Sequence, residues 1–99
     1  MAEITFGKPY VDEGNIRYFD HERSQDEYVW HRDQGNRTIK VLKGDGWQLQ
    51  FDNCLPGLLT PGMVVTIPSG EYHRLIKGIS PLSIEIINST NISNGETYV

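Results

Sequence analysis

Short runs rich in Val, Ile, Thr, Tyr, Phe and Trp recur along the chain, separated by clusters of Gly, Pro, Asn and Asp. β-Branched and aromatic residues favour strands, and the intervening clusters favour turns. The pattern therefore predicts an all-β chain with no long amphipathic helix. The predicted strands lie near Glu3–Phe6, Ile16–Phe19, Glu27–His31, Arg37–Leu42, Trp47–Phe51, Met63–Ile67, Tyr72–Ile76 and Leu82–Ile87.

The strands follow one another at intervals of about ten residues, which is typical of a β-sandwich or β-barrel. The segment Lys8–Gly14 is predicted to be irregular, and the highly charged Asp20–Asp26 is predicted to be an exposed loop. We expect N-terminal strands and a loop over residues 1–26 that pack on the barrel. The barrel itself is expected over 27–87, followed by a flexible polar tail over 88–99.

The composition narrows the class of protein. With 99 residues, the chain has room for one modest hydrophobic core, which pairing with a second copy would support. The net charge of −4 argues against a general affinity for nucleic acid. No apolar run approaches the roughly 18 residues of a membrane span, and no signal peptide is evident. The single cysteine, Cys54, fits a reducing compartment, so we expect a cytoplasmic protein without nucleic-acid or membrane partners.

Residues 62–73 read GMVVTIPSGEYH and contain the spacing G-x5-P-x-G-x2-H. Gly62 begins a strand, Pro68 and Gly70 form a tight turn at its far end, and His73 enters the next strand facing inward. This segment resembles the second sequence motif of the cupin family, whose final Asn is replaced by Lys77 here. The resemblance implies a double-stranded β-helix (the cupin or jelly-roll barrel) of about eight short antiparallel strands.

The first cupin motif is matched in outline. His31 takes the position of its first histidine, Asp33 that of the second, and Arg37 that of the glutamate. Gly44 matches the closing glycine, whereas Gln25 stands where the opening glycine would be. The sequences around these positions, VWHRD and GWQLQFDN, resemble those of small cupins encoded by bacteriophages.

These residues predict a metal site. Side chains two apart in a strand share a face, so His31 and Asp33 point the same way, and His73 joins them from another strand. Two histidines and one carboxylate suit non-haem Fe(II), and similar sets hold Mn, Ni or Zn. The order H-x-D with a distant His also resembles iron- and 2-oxoglutarate-dependent oxygenases, although the distal arginine of those enzymes has no counterpart here.

Two basic side chains leave other interpretations of the predicted pocket open. Arg37 and Lys77 are predicted on the same face as the three candidate ligands, where they would repel a metal ion. An Asp33–Arg37 ion pair would instead give a metal-free pocket for a small anion such as a carboxylate, phosphate or sugar acid, or an inert polar core. Gln48 and Gln50 share one face of their strand and either line the pocket or lie exposed.

We therefore expect a cupin that binds a divalent metal and a small organic ligand, with dioxygenase, isomerase or epimerase chemistry as the enzymatic version. The alternative is a non-catalytic binding module or structural subunit. Trp30 and Tyr72 are predicted to point outward, and exposed aromatic residues favour interfaces, so a homodimer is expected.

Overall fold

The computed structural model describes residues 8–89, and in that range strands account for nearly all regular structure. Antiparallel pairing joins every neighbouring pair of strands. One 3₁₀ turn, Gln25–Glu27, precedes the third strand. The strands are β1 (Tyr10–Glu13), β2 (Ile16–Phe19), β3 (Arg37–Lys43), β4 (Gln48–Phe51), β5 (Gly57–Leu58), β6 (Val64–Ile67), β7 (His73–Ile76) and β8 (Leu82–Ser89).

The strands form two sheets. The larger has the order β1-β2-β8-β3-β6, and the smaller has the order β5-β4-β7. Strands that are distant in sequence, such as β2 and β8, are neighbours in the sheet, as the jelly-roll topology requires. The predicted double-stranded β-helix is confirmed. No helix among residues 8–89 is long and apolar enough to cross a membrane.

The irregular structure predicted for Lys8–Gly14 is wrong, because Tyr10–Glu13 forms a hairpin with β2. Gly14 (φ 62°) makes the turn between the two strands. The strand was missed because the edge position leaves Val11 exposed and places acidic residues in the strand, which weakens the apolar pattern.

The strand predicted at Glu27–His31 is also wrong. Ser24 accepts a hydrogen bond from the Asp26 backbone and begins the 3₁₀ turn, so local capping replaces extended structure there. Only His31 makes a β-bridge. The predicted strand Glu3–Phe6 and the tail beyond residue 89 lie outside the described residues, while β8 extends two residues past its predicted end.

The interior of the barrel has two zones. The apolar zone is built around Trp47, which is fully buried, packs edge-on against Tyr28 and donates its Nε1–H to the Ser80 carbonyl. The polar zone lies where Arg37 begins β3 and His73 begins β7, and both side chains are buried. The apolar core consists of Phe19, Tyr28, Ile39, Val41, Trp47, Leu49, Leu59, Ile67, Leu75, Leu82 and Ile84.

Candidate metal centre

A single backbone bridge brings two histidines together in the polar zone. The amide of His31 donates to the carbonyl of His73 at 3.0 Å, and the amide of His73 donates back at 2.9 Å. Directly opposed residues of an antiparallel pair carry their side chains on the same face. The two imidazole rings are therefore adjacent, with centroids 4.4 Å apart.

Asp33 lies on the segment that crosses from one sheet to the other. His31 bridges to β7 of the smaller sheet, whereas Arg37 pairs with β6 of the larger one. The turn of the second motif holds this crossing: Gly70 (φ 81°) donates its amide to the Asp33 carbonyl at 2.9 Å, and Ser69 Oγ accepts from the next loop amide, that of Gly35, at 2.9 Å. The proline–glycine turn thus fixes the backbone that carries the candidate carboxylate.

Both imidazoles are oriented by backbone carbonyls. Nδ1 of His31 lies 2.8 Å from the Val29 carbonyl, and Nδ1 of His73 lies 2.8 Å from the Glu71 carbonyl. A carbonyl only accepts, so each Nδ1 carries the hydrogen and Nε2 is the lone-pair nitrogen of the neutral ring. These Nε2 atoms face Asp33, at 4.0 Å from Oδ1 for His31 and 3.8 Å from Oδ2 for His73.

The chemistry of Asp33 fits a bound cation. The residue is 3% exposed, and neither carboxylate oxygen has a hydrogen-bond partner. A buried carboxylate without partners is costly unless a cation or proton compensates it. The candidate ligand atoms of His31, Asp33 and His73 lie within 4.8 Å of one another. Ligands at 2.0–2.2 Å from one ion are about 3.0–3.5 Å apart, so small side-chain movements would complete the centre.

Arg37 lies in the polar zone without the ion pair to Asp33 that one of the alternative interpretations required. Its side chain alternates with Ile39 and Val41 on the inner face of β3 and is 6% exposed. Among residues 8–89 no ion pair joins Arg37 to Asp33, and Nε and Nη1 of Arg37 lack hydrogen-bond partners. Burial lowers the pKa of the guanidinium, and the negative charge of Asp33 partly offsets that effect.

The structure does not bring the other predicted pocket residues to this group. Gln48 and Gln50 lie on the face of β4 opposite Leu49 and Phe51, and Gln50 accepts a hydrogen bond from Arg74 at 3.0 Å. Lys77 lies beyond the end of β7, where its ammonium donates to the Arg23 carbonyl at 2.8 Å. The alternation of Gln and apolar residues in β4 did not determine which of its two faces points inward.

A second buried arginine was missed by the sequence analysis. Arg17 of β2 is buried on the same sheet face as Phe19 and forms two hydrogen bonds with Asp12, at 2.7 and 3.0 Å. Its guanidinium also lies 3.9 Å from the centre of the Tyr10 ring. The signal available was the spacing of Arg17 and Phe19, two apart in a strand. Arg17 is thus paired with a carboxylate, in contrast to Arg37.

Comparison with known proteins supports the fold. The crystal structure of FeII HppE is similar to this chain with a TM-score of 0.56 and 16% identity, over 70% of this chain and 38% of that one. This chain therefore spans 38% of the length of HppE. Protein NMB1881 from Neisseria meningitidis aligns with a TM-score of 0.49 and 15% identity, covering 85% of this chain and 87% of its own. No family model and no curated protein matches the chain. At this identity, the likeness to HppE shows a shared cupin-like fold.

Proposed function

We propose that this protein is a metal-binding cupin in which His31, Asp33 and His73 hold a divalent transition metal that takes part in binding a small organic ligand. The observation that carries the proposal is the buried Asp33 carboxylate, whose oxygens have no hydrogen-bond partner and face two imidazole Nε2 atoms. The two backbone carbonyls that fix the imidazoles support it, because ligating histidines usually donate their other ring N–H in this way.

Three protein ligands leave coordination positions for a bound molecule. When bound, a divalent ion at such a set supplies a Lewis acid and a template for orienting that molecule. The chain contributes a backbone bridge under both histidines and an apolar neighbour, since the centre of the Phe51 ring lies 5.9 Å from that of the His73 ring. The donor set suits Fe(II), Mn(II), Ni(II) and Zn(II), and the iron(II) of HppE makes Fe(II) the first ion to test.

The test is metal stoichiometry in protein purified without a histidine tag. Protein dialysed in turn against Fe(II), Mn(II), Ni(II) and Zn(II) is expected to retain about one equivalent of at least one ion after desalting, measured by elemental analysis. His31→Ala and His73→Ala are expected to lose it. His21→Ala is the matched control, because His21 is the remaining histidine of the chain and lies outside the group.

Retention of no ion by the parent protein would overturn the proposal. Equal retention by the parent and His73→Ala would also overturn it, since the metal would then be held elsewhere. In either case the buried Arg37 would favour the rival function, a metal-free module that binds a small anion. Enzymatic activity is best assayed in protein loaded with the ion that it retains most tightly.

A further inference from the structure

We propose that Arg37 forms an oxyanion subsite beside the metal ligands, which selects small molecules that carry a carboxylate or phosphoryl group. The location of the subsite rests on the proposed function, because the bound molecule would contact both Arg37 and the metal held by the His31–Asp33–His73 group. The binding of the oxyanion to the guanidinium does not depend on the metal and is testable separately.

Arg37 has buried hydrogen-bond donors that lack acceptors. A guanidinium offers its N–H groups along the edges of a plane, and the buried Nε and Nη1 atoms, which lack partners, do not share one edge. More than one direction around the group is therefore unsatisfied. A charged group that is 6% exposed and has donors without partners is unfavourable unless an acceptor with negative charge is supplied.

Neither of the two neighbouring carboxylates satisfies the Arg37 guanidinium. Asp12 is held by Arg17 through two hydrogen bonds, at 2.7 and 3.0 Å. Asp33 faces the two imidazoles and makes no ion pair with Arg37 among the described residues. No further His, Cys, Asp or Glu of residues 8–89 joins the metal group. The acceptor that Arg37 needs is therefore expected from a bound molecule.

The net charge of the metal-loaded site would be positive. A divalent ion and the Arg37 guanidinium carry three positive charges, against the single negative charge of Asp33 and two neutral imidazoles. In a buried site such an excess strongly favours an anion, and carboxylates and phosphoryl groups match the planar donors of arginine. An anionic molecule that reaches both Arg37 and the metal satisfies the hydrogen-bonding and the charge requirements together.

The experiment uses succinate and methylphosphonate as probes, in metal-free and metal-loaded protein, with chloride at equal ionic strength as the reference. Binding is measured by calorimetry in the parent, in Arg37→Met and in Arg74→Met. Arg74 is the matched control, because its guanidinium lies on the outer face, 4.9 Å from the centre of the Trp30 ring. Arg37→Met is expected to weaken binding by about 10- to 100-fold, whereas Arg74→Met leaves it unchanged. Preference for one probe identifies the carboxylate or the phosphoryl group as the recognised chemistry.

A second measurement needs no variant and covers the case in which Arg37→Met does not fold. The ¹⁵Nε–¹Hε resonance of Arg37 in the parent protein is expected to shift on addition of the probe that binds, while that of Arg74 stays in place. Retention of metal by the parent with no response to either probe would overturn the subsite and leave the proposed function intact. Binding of a probe through Arg37 in a protein that retains no metal would support the subsite and overturn the proposed function. Equal weakening in both arginine variants would overturn the subsite.

Discussion

At the scale of single residues, Asp33 and Arg37 are two buried charges of opposite sign that do not pair with each other. Both side chains have polar atoms without hydrogen-bond partners, which is destabilising in a folded interior. Apolar cores of similar volume avoid that cost. The polar zone therefore lowers the stability of the barrel, a cost that the proposed binding site would explain.

Removing both charges together is expected to stabilise the metal-free protein. The double substitution Asp33→Asn with Arg37→Met should raise the free energy of unfolding by about 1–3 kcal/mol, because two desolvated charges disappear at once. Urea unfolding of the parent and the double variant, both treated with chelator, measures the change. A lower free energy of unfolding in the double variant would show that the two charges stabilise the fold.

Tyr28 is expected to make the fold sensitive to alkali. Burial raises the pKa of its phenol above the ordinary value, and the hydroxyl donates to the Asp20 carbonyl. The pKa of the phenol is higher in the folded than in the unfolded protein. The contribution of the protonated phenol to the free energy of unfolding is therefore complete below pH about 10. It is lost as the pH rises above that value, by about 1.4 kcal/mol per pH unit.

The comparison of the parent with Tyr28→Phe isolates that effect. The variant should be about 1 kcal/mol less stable at pH 8, where it lacks the hydrogen bond. Between pH 10 and 11 its free energy of unfolding, measured in urea, should fall less steeply than that of the parent. Parallel pH profiles would assign the alkaline loss of stability to other groups.

At the scale of the elements, the turn before β7, in the segment that resembles the second cupin motif, is hydrogen-bonded to the backbone that carries Asp33. Ser69 Oγ accepts the Gly35 amide and so holds the segment that carries Asp33. Ser69→Ala is expected to lower the free energy of unfolding by about 1 kcal/mol and to weaken metal binding about tenfold, because the backbone that carries Asp33 loses a hydrogen bond.

Ser24→Ala is the matched control for Ser69→Ala. Its hydroxyl also accepts a backbone amide, that of Asp26, but in the 3₁₀ turn outside the metal group. It should lose a similar amount of stability and keep the metal affinity of the parent, measured by competition with a chelator. Equal metal affinity in all three proteins would mean that the turn does not position Asp33.

Much of the fold followed from the sequence, because alternation and turn chemistry act locally. The bounds of β2, β3, β4, β6, β7 and β8 lie within two residues of those predicted. The strand β5 has two residues, Gly57 and Leu58, and depends on pairing with β4, which no local pattern records. The 3₁₀ turn displaced a predicted strand because a serine cap competed successfully with β-propensity.

The candidate site was predictable as a set of residues rather than as an arrangement. Motif spacing placed His31, Asp33 and His73 together, and the structure brings them within 4.8 Å. Spacing did not show that Arg37 and Asp33 avoid an ion pair, since that depends on where the crossing segment turns between the sheets. Nor did it show which face of β4 points inward, because Gln50 and Leu49 are both compatible with a strand.

At the scale of the whole molecule, one outer surface combines aromatic and basic side chains. Trp30 and Tyr72 are 42% and 44% exposed, as their predicted outward orientation requires. Arg74 lies 4.9 Å from the centre of the Trp30 ring, and Arg32 lies 5.1 Å from that of Tyr72. Trp30 and Tyr72 directly precede His31 and His73, so this surface lies on the outer side of the strands that carry the candidate metal ligands.

The homodimer predicted from these aromatic residues stays a prediction, and its test is solution mass. Light scattering of the parent should give twice the 11.3 kDa mass of the chain. The double substitution Trp30→Ser with Tyr72→Ser should give the monomer, because it removes the apolar part of the surface. Leu55→Ser, at a 91% exposed leucine of the loop between β4 and β5, is the control and should stay dimeric. A monomeric parent at high concentration would exclude this dimer.

The division of the interior into two zones has a consequence for how such a chain can diverge. The apolar zone includes the packing of Trp47 against Phe19 and Tyr28, whereas the polar residues lie at the starts of β3 and β7. Substitutions of the polar side chains leave the Trp47 contacts in place, so a chain with this topology can exchange one set of polar residues for another. Arg37, at the position that corresponds to the glutamate of the motif this segment resembles, is a difference of that kind.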